Sequence, residues 1–284
     1  MLGKLIKYEF RSMSKVLYII WIVIPLASIL YGITIHFSLN SDYTDRVMPV
    51  IMTVSSIVYA TLFIAMAIVT LVIIVARFYR GVLGTEGYLV NTLPVKSWQI
   101  ITSKGLVSTV VTLIGCVISV AAIFIIVMIV MPIDEYFARI QYLLEGTFSS
   151  PEATTYILEM GALTFFSVIA VIYQIYTSLS IGQLVTKNRI LMALLAYFLI
   201  NIASTILNSL VASLVIAVGR TSIAESVAAL NPLTFGLLGM LFSTVDGLEN
   251  MSGYFIWSIA MLIVKIVVFH VVTNYILKNK LNLE

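Results

Sequence analysis

Six long runs of apolar residues constrain the fold of this 284-residue chain more than any other feature of its sequence. A helix needs about 20 residues to cross roughly 30 Å of hydrocarbon, and every run reaches that length. The predicted spans are Val16–His36, Pro49–Ala76, Leu106–Met131, Met160–Gln183, Ile190–Val218 and Tyr254–Leu277. The sequence therefore predicts an all-α integral membrane protein, with six transmembrane helices in one membrane domain over residues 1–284.

The composition favours the same class. Apolar residues make up 61% of the chain and charged residues only 10%, whereas soluble domains are close to a quarter charged. The only cysteine, Cys116, lies within an apolar run and has no partner in the chain, which excludes an intramolecular disulfide framework. No small-residue cleavage site follows the first apolar run, so we interpret that run as an uncleaved anchor rather than a signal peptide.

The distribution of charge predicts the orientation of the spans. Lys and Arg are retained on the cytoplasmic side of membrane proteins, and six spans place both termini on one side. Twelve bases fall on that side and three on the other, whereas the acids divide three against ten. The twelve bases are Lys4, Lys7, Arg11, Lys15, Arg77, Arg80, Lys96, Lys104, Lys187, Arg189, Lys278 and Lys280. Both termini are therefore expected in the cytoplasm.

The first 15 residues, MLGKLIKYEFRSMSK, have the pattern of an amphipathic helix lying in the membrane interface. At 100° per residue the apolar side chains fall on one arc and the bases on the opposite side. The arc comprises Leu2, Leu5, Ile6, Phe10, Met13 and Leu17. Glu9 projects from the middle of this arc, where a carboxylate needs a base or a backbone amide as its partner. We therefore favour an elbow helix that bears on the spans and on a cytoplasmic partner over a simple basic tail.

A long polar passage, RGVLGTEGYLVNTLPVKSWQIITSKG, follows the second span at residues 80–105. Gly81, Gly84 and Gly87 permit tight backbone turns, and Pro94 is typical of a helix start. After Pro94 the apolar residues recur at helical spacing, so this part is expected along the interface. The P-loop pattern G-x-x-x-x-G-K-[ST] is missing. A docking element for a separate cytoplasmic protein explains the length and composition of the passage better than a solvated loop.

Three segments resemble the permease subunits of ATP-binding-cassette exporters. They are LGKLIKYEFR at the start, GTEGYLVNTLPVKSWQIITSK after the second span, and LNPLTF at 230–235. The similarity is to the second type of these transporters, which has six spans per subunit and is common in Gram-positive bacteria. It is most specific from Gly84 to Pro94. In that family the loop between spans two and three carries a coupling helix that docks into a groove of the ATPase subunit.

The resemblance implies roles for particular residues and partners. Within a cytoplasmic coupling loop at 77–105, the docking element would comprise Gly84, Glu86, Gly87, Tyr88, Leu89, Thr92, Leu93 and Pro94. The turn Thr186–Arg189 would be a lesser contact. The implied partners are cytoplasmic ATPase subunits, which would bind ATP and Mg, and a second permease copy or a paralogue. The chain itself would bind no cofactor and no metal, and it would lie in the cell membrane of a Gram-positive bacterium.

The predicted outer segments differ in character. Phe37–Met48 is acidic, and Pro132–Glu159 carries five acids against one Arg and is expected to be exposed and partly helical. The segment 219–253 contains an apolar stretch too short to span, interrupted by Pro232 and Gly236. It is predicted as a pair of short re-entrant outer helices between the last two spans, as the resemblance also implies. An interfacial loop is the alternative.

Polar groups within the predicted spans are few. Lys265 lies about midway along the last span, where a lone charge costs roughly 2.5–3.5 kcal/mol, and no predicted span contains an acid. Lys265 is a candidate for the transport pathway or its gate; alternatively it is buried against polar groups or reaches a headgroup from a tilted helix. Gln174, Asn201 and Asn208 are expected to bond across helices, with lining of the pathway as the alternative. His270 is expected to be packed or interfacial.

The sequence favours a non-catalytic membrane subunit of an exporter over two other classes. An ion-coupled carrier needs carboxylates at mid-membrane, and an intramembrane enzyme needs paired acids, a His cluster or a catalytic Ser/Asp set. The only histidines are His36 and His270. The expected cargo is an amphipathic peptide or a hydrophobic small molecule, and no nucleic acid partner is expected. A resistance, immunity or sensing module with little net transport is the alternative.

Overall fold

The computed structural model of the chain describes residues 2–39, 47–84, 96–149, 151–185, 188–218 and 251–279. Those ranges contain seven α-helices and no strand. The helices are α1 Leu2–Leu39, α2 Val47–Phe78, α3 Ser97–Val130, α4 Ile133–Ser149, α5 Pro151–Gly182, α6 Arg189–Val218 and α7 Met251–Asn279, and a π-helical turn, Tyr79–Leu83, continues α2. All but α4 are long and apolar enough to cross a membrane. The all-helical class is confirmed, and the chain is a multi-pass membrane protein.

The helices extend beyond the apolar runs that predict them. The apolar run predicts the start of span four at Met160, but α5 begins at Pro151, so Glu159 lies inside the helix and inside the candidate span Thr154–Gly182. The candidate span therefore includes one acid that the predicted span, which starts at Met160, leaves out. At about 1.5 Å per residue the 32 residues of α5 extend about 48 Å, longer than the hydrocarbon, so the helix accommodates a polar residue near its start.

The chain divides into two compact units, Met1–Ser149 and Ser150–Glu284. In the first unit α1 and α2 run antiparallel: residues farther along α1 contact residues nearer the start of α2. These pairs are Ser12–Arg77, Ser28–Tyr59, Thr34–Ser55 and Ser38–Met52. Helices α1 and α3 run parallel, with Glu9 beside Lys104 near their starts and Gly32 against Ile129 near their ends.

The predicted elbow helix is not a separate element, because α1 continues from Leu2 to Leu39 without a break. The buried stripe that begins at Met13 and Leu17 continues through Trp21 and Ile24 to Ser28, all less than a tenth exposed. This stripe has the three- and four-residue spacing of one helix face. A bend after residue 15 would interrupt it, so continuous packing explains the straight passage from the N-terminal segment into the span.

In the second unit α5 and α7 run parallel and share hydroxyl contacts. The Thr177 and Thr273 hydroxyls lie 3.0 Å apart, and Thr177 also donates to the Phe269 carbonyl at 3.1 Å. Both threonines are buried. Helices α5 and α6 meet closely at Gly182, where an added Cβ would lie 2.7 Å from the Ala193 Cβ. These contacts hold the unit together through small and hydroxylated residues, as membrane helices commonly do.

The outer segments are described only in part. Most of the predicted acidic segment Pro132–Glu159 forms α4 and the start of α5, which confirms its helical character. On α4, Arg139 and Glu135 pair at 3.1 Å on an exposed face. Residues 219–250, which contain the predicted re-entrant helices, lie outside the described residues, and residues 251–253 form the first turn of α7. The re-entrant helices therefore stay a prediction.

Candidate functional site

A polar cluster lies at the end of the first unit where α1 and α3 begin and α2 ends. We call it the N-terminal cluster; it consists of Glu9, Ser12, Arg77, Gly81 and Lys104. At its centre the Lys104 Nζ donates to the Glu9 Oε1 at 2.7 Å. The side chains of Lys104 and Glu9 are only 10% and 20% exposed. The expectation that Glu9 needs a partner on the apolar face of the helix is confirmed, and that partner is Lys104.

The same ammonium reaches α2 as well as α1. The Lys104 Nζ lies 3.4 Å from the backbone carbonyl oxygen of Arg77, near the C-terminal end of α2, where the helix dipole favours a cation. Ammonium–carboxylate hydrogen bonds are about twice as strong as neutral ones. Removing one partner of a buried pair costs about 3–5 kcal/mol, because the other charge is left without compensation. Glu9 and Lys104 are therefore a mutually dependent pair.

Arg77 ties the end of α2 to α1 independently of Lys104. Its Nη2 donates to the Ser12 carbonyl oxygen at 3.3 Å and also to the Ser12 hydroxyl. The charge pattern alone places Arg77 at the membrane headgroups, where it would need no protein partner. The structure shows that it contacts a specific position on α1, one turn after Glu9.

Gly81 leaves the space that the Lys104 ammonium occupies. It lies in the π-helical turn Tyr79–Leu83, and an added Cβ would lie 2.8 Å from the Lys104 Nζ. The prediction that Gly81 serves a tight turn is wrong, since the residue is part of a helical turn and its requirement is close packing. π-helical turns within α-helices occur frequently at functional sites.

Helical structure extends into the polar passage at residues 80–105 from both sides. Helical structure continues to Leu83, Gly84 is extended, and α3 begins at Ser97 after an extended Lys96. The residues after Pro94 that are expected along the interface form the first turns of α3, where Ile100 and Ile101 are buried in the first unit and Trp98 is 43% exposed. Only residues 85–95 remain between the two helix ends, and we call them the connecting segment.

Most of the predicted docking element falls in the connecting segment. Gly84 is described. The other members lie outside the described residues: Glu86, Gly87, Tyr88, Leu89, Thr92, Leu93 and Pro94. The coupling helix therefore stays a prediction. What the structure does bring together is the set of helix ends on either side of it.

The predicted pathway residues lie in the second unit and do not form one cluster of contacts. Lys265 is half-buried on α7 and forms no ion pair with any acid in the described ranges. The Asn201 amide donates to the Tyr197 carbonyl of its own helix at 2.9 Å. The Gln174 Nε2 and Asn208 Oδ1 are buried and have no hydrogen-bond partner among the described residues. None of these three groups bonds across helices among the described residues, and the expectation that the three amides do so stays a prediction.

The cross-helix polar contacts of the second unit come from residues that the sequence pattern did not single out. Thr177 and Thr273 pair through their hydroxyls, and the rings of Tyr173 and His270 pack edge to face, with centroids 5.5 Å apart. His270 is thus a packed histidine, as predicted. A single hydroxyl in a span gives no signal of its partner, so only the packing of α5 against α7 identifies this pair.

The second predicted docking contact, Thr186–Arg189, is described at its last two residues only. Asn188 has a φ of 58°, in the left-handed region that Asn tolerates better than most residues. Arg189 then begins α6.

An apolar groove of about 420 Å³ lies between α1 and α2 in the first unit. The rings of Tyr31 and Tyr59 stack in its wall with centroids 4.8 Å apart. Val54 and Val58 also line the groove, and their side chains are about half exposed. Such a lining suits a hydrocarbon group.

Comparison with known protein families, curated proteins and solved structures finds no match for this chain. The similarity to exporter permeases therefore rests on the motifs quoted above.

Proposed function

We propose that this chain is the membrane subunit of an exporter that is driven by a separate cytoplasmic ATPase. The observation that carries the proposal is the N-terminal cluster. It joins α1 to both helix ends that flank the connecting segment, whose sequence resembles the coupling element of exporter permeases. A segment held in this way at both ends can pass a displacement directly into three membrane helices.

The charge on this end of the molecule supports a cytoplasmic location for the connecting segment. Lys4, Lys7, Arg11 and Lys15 are all exposed on α1, on the face opposite the buried stripe. Basic residues at a membrane boundary favour the cytoplasmic side. In this orientation both termini and the connecting segment face the compartment that contains ATP.

The mechanism assigns the chemistry to the partner and the movement to this chain. Closure of the ATPase dimer on ATP would displace the connecting segment. The displacement would pass to α2 through the π-helical turn, to α3 through Ser97, and to α1 through the N-terminal cluster. Two copies of the chain, or one copy with a paralogue, would surround the pathway.

The proposed cargo is an amphipathic peptide or a hydrophobic small molecule. The six candidate spans are apolar with few charges, and Lys265 is a rare ionisable group near the middle of one. A lining of hydroxyl, amide and apolar groups suits an amphiphile that enters from the bilayer. The groove between α1 and α2 is an apolar surface of suitable size for part of such a molecule.

Alanine substitutions in the connecting segment test this proposal. Glu86→Ala and Tyr88→Ala should leave membrane insertion intact but weaken binding of the ATPase that co-purifies with the wild-type chain. Because aromatic residues often dominate interface energy, Tyr88→Ala should weaken binding about tenfold or more. The measurements are the amount of co-purified ATPase and its rate of ATP hydrolysis in lipid nanodiscs.

Tyr142→Ala is a matched control, because Tyr142 is 77% exposed on α4, away from the N-terminal cluster. It should bind the ATPase as the wild type does. Wild-type binding and activity in both Glu86→Ala and Tyr88→Ala would contradict the proposed role of the connecting segment. Cargo movement by the purified chain without an ATPase would contradict the function as a whole.

A further inference from the structure

We infer that Glu9 and Lys104 are positioning residues that join α1 to the moving part of the transporter. In this inference, which rests on the proposed function, the ion pair makes the start of α1 move together with the connecting segment when the ATPase closes. Loss of the pair would leave the ATPase bound but would let the start of α1 shift relative to the start of α3.

Lys104 links three helices. It belongs to the second turn of α3, shortly after the connecting segment ends. Its ammonium contacts Glu9 on α1 at 2.7 Å and lies 3.4 Å from the Arg77 carbonyl on α2. One side chain therefore contacts all three helices that could receive a displacement from the connecting segment.

The ammonium is buried where Gly81 comes close to it. Gly81 lies in the π-helical turn that precedes the connecting segment, and an added Cβ there would lie 2.8 Å from the Lys104 Nζ. Both flanks of the connecting segment thus meet at one charged group: Gly81 from the α2 side and Lys104 from the α3 side. A displacement of either flank must move the ammonium, and with it the carboxylate of Glu9.

The pair is not the only contact between α1 and α3. Their interface buries Met13, Leu17, Val107 and Val111 almost completely, and Gly32 packs against Ile129 farther along. Buried ion pairs stabilise a fold no better than well-packed apolar residues do, whereas they can specify how the elements align. The value of Glu9 and Lys104 therefore lies in fixing the alignment of the two helix starts.

Spin-label distances test directly whether the Glu9–Lys104 pair holds the start of α1 to the start of α3. In a Cys116→Ser background, labels on Lys4→Cys and Lys96→Cys, both exposed positions, report the separation between α1 and the start of α3. We expect one narrow distance distribution in the wild type, unchanged when ATP and vanadate are added to the complex in nanodiscs. In Glu9→Gln the ATP and vanadate state should shift the mean by roughly 2 Å or more, the scale of helix movements in switching proteins.

Two further variants separate positioning from folding. The exchange Glu9→Lys with Lys104→Glu should narrow the distribution relative to Glu9→Gln, because it restores the pair with opposite polarity, but not fully, because it also places a carboxylate near the Arg77 carbonyl oxygen. Gly81→Ala should reproduce the Glu9→Gln shift, since the added methyl group displaces the ammonium and leaves both charges in place. Glu135→Gln is the matched control, because it removes a carboxylate from the exposed pair with Arg139, and it should change nothing.

The outcomes distinguish this inference from the proposed function. If Glu9→Gln gives the wild-type distance distribution with and without nucleotide, the inference is wrong while ATPase binding can still stand. If no ATPase binds the wild-type chain, the proposed function is wrong. In that case the inference is tested on the isolated chain. A broader distance distribution in Glu9→Gln than in the wild type supports it, and an unchanged distribution overturns it. A single cooperative thermal unfolding transition confirms that each variant is folded, and Glu9→Gln should unfold at a lower temperature than the wild type, because Lys104 is left without its carboxylate.

Discussion

At the scale of single residues, the chain accommodates its few buried charges by different means. Glu9 is 20% exposed and pairs with Lys104. Glu159 lies near the start of α5, and its Oε2 is shielded without a hydrogen-bond partner in the described ranges. Lys265 is half-buried on α7 with no acid beside it among those residues. An ionisable group inside a span without a partner is a candidate for function.

Replacement of Lys265 tests that candidate. We expect Lys265→Met to insert and fold at least as well as the wild type, since a charge at the centre of a span costs roughly 2.5–3.5 kcal/mol. We also expect it to reduce uptake of a fluorescent amphipathic peptide into proteoliposomes that contain the complex. Lys278→Met, at the end of the same helix, is the control and should transport normally. Wild-type transport by Lys265→Met would assign Lys265 a structural role.

Much of the residue-level chemistry could be anticipated from sequence, but its partners could not. The position of Glu9 on an apolar face indicates that a partner is required. Several bases lie near the same membrane boundary, however, and spacing along the chain does not choose among them. The choice of Lys104 over Arg77 follows only from the parallel packing of α1 on α3.

At the scale of helices, small residues decide how closely neighbours approach. Gly32 against Ile129, Gly115 against Met66 and Gly182 against Ala193 each lack room for a larger side chain. The three contacts join different helix pairs, so close approach at glycine recurs in both units. Sequence patterns predict each helix from its apolar length, but they do not show which glycine faces a neighbour.

The two glycines of α5 provide a matched test. A Cβ at Gly182 would lie 2.7 Å from both the Ala193 Cβ and the Arg189 carbonyl oxygen, whereas a Cβ at Gly161 would meet nothing within 4 Å. Gly182→Ala should therefore destabilise the chain by about 1–3 kcal/mol through overpacking. Gly161→Ala should be neutral or stabilise it by up to about 1 kcal/mol through helix propensity. Thermal unfolding in detergent measures both, and equal midpoints would contradict the close α5–α6 contact.

At the scale of the whole molecule, the six long helices define a multi-pass membrane protein, and within the first unit the charges differ between the two ends of the spans. The exposed bases of α1 lie at the start of the first span, whereas α4, after the third span, carries Asp134, Glu135 and Glu145. The orientation proposed from this difference places α1's start inside the cell and α4 outside.

Cysteine labelling tests the orientation. In the Cys116→Ser background, Tyr142→Cys should react with a membrane-impermeant maleimide in intact cells, because Tyr142 is exposed on α4. Lys4→Cys should react only after the membrane is permeabilised, because the basic start of α1 is expected on the cytoplasmic side. Labelling of Lys4→Cys in intact cells would reverse the orientation and remove the connecting segment from contact with a cytoplasmic ATPase.

The sequence by itself determined that this protein lies in a lipid bilayer, that it has six spans and that Glu9 needs a partner. These follow from local properties: apolar length, helical period and the cost of an uncompensated charge. Tertiary structure alone decided that α1 is one continuous helix, that Gly81 makes room for an ammonium, and that Lys104 meets Glu9. Those outcomes depend on which helices lie side by side, and Glu9 and Lys104 are 95 positions apart in the chain. Contacts at that separation arise from helix packing, which no short window of residues encodes.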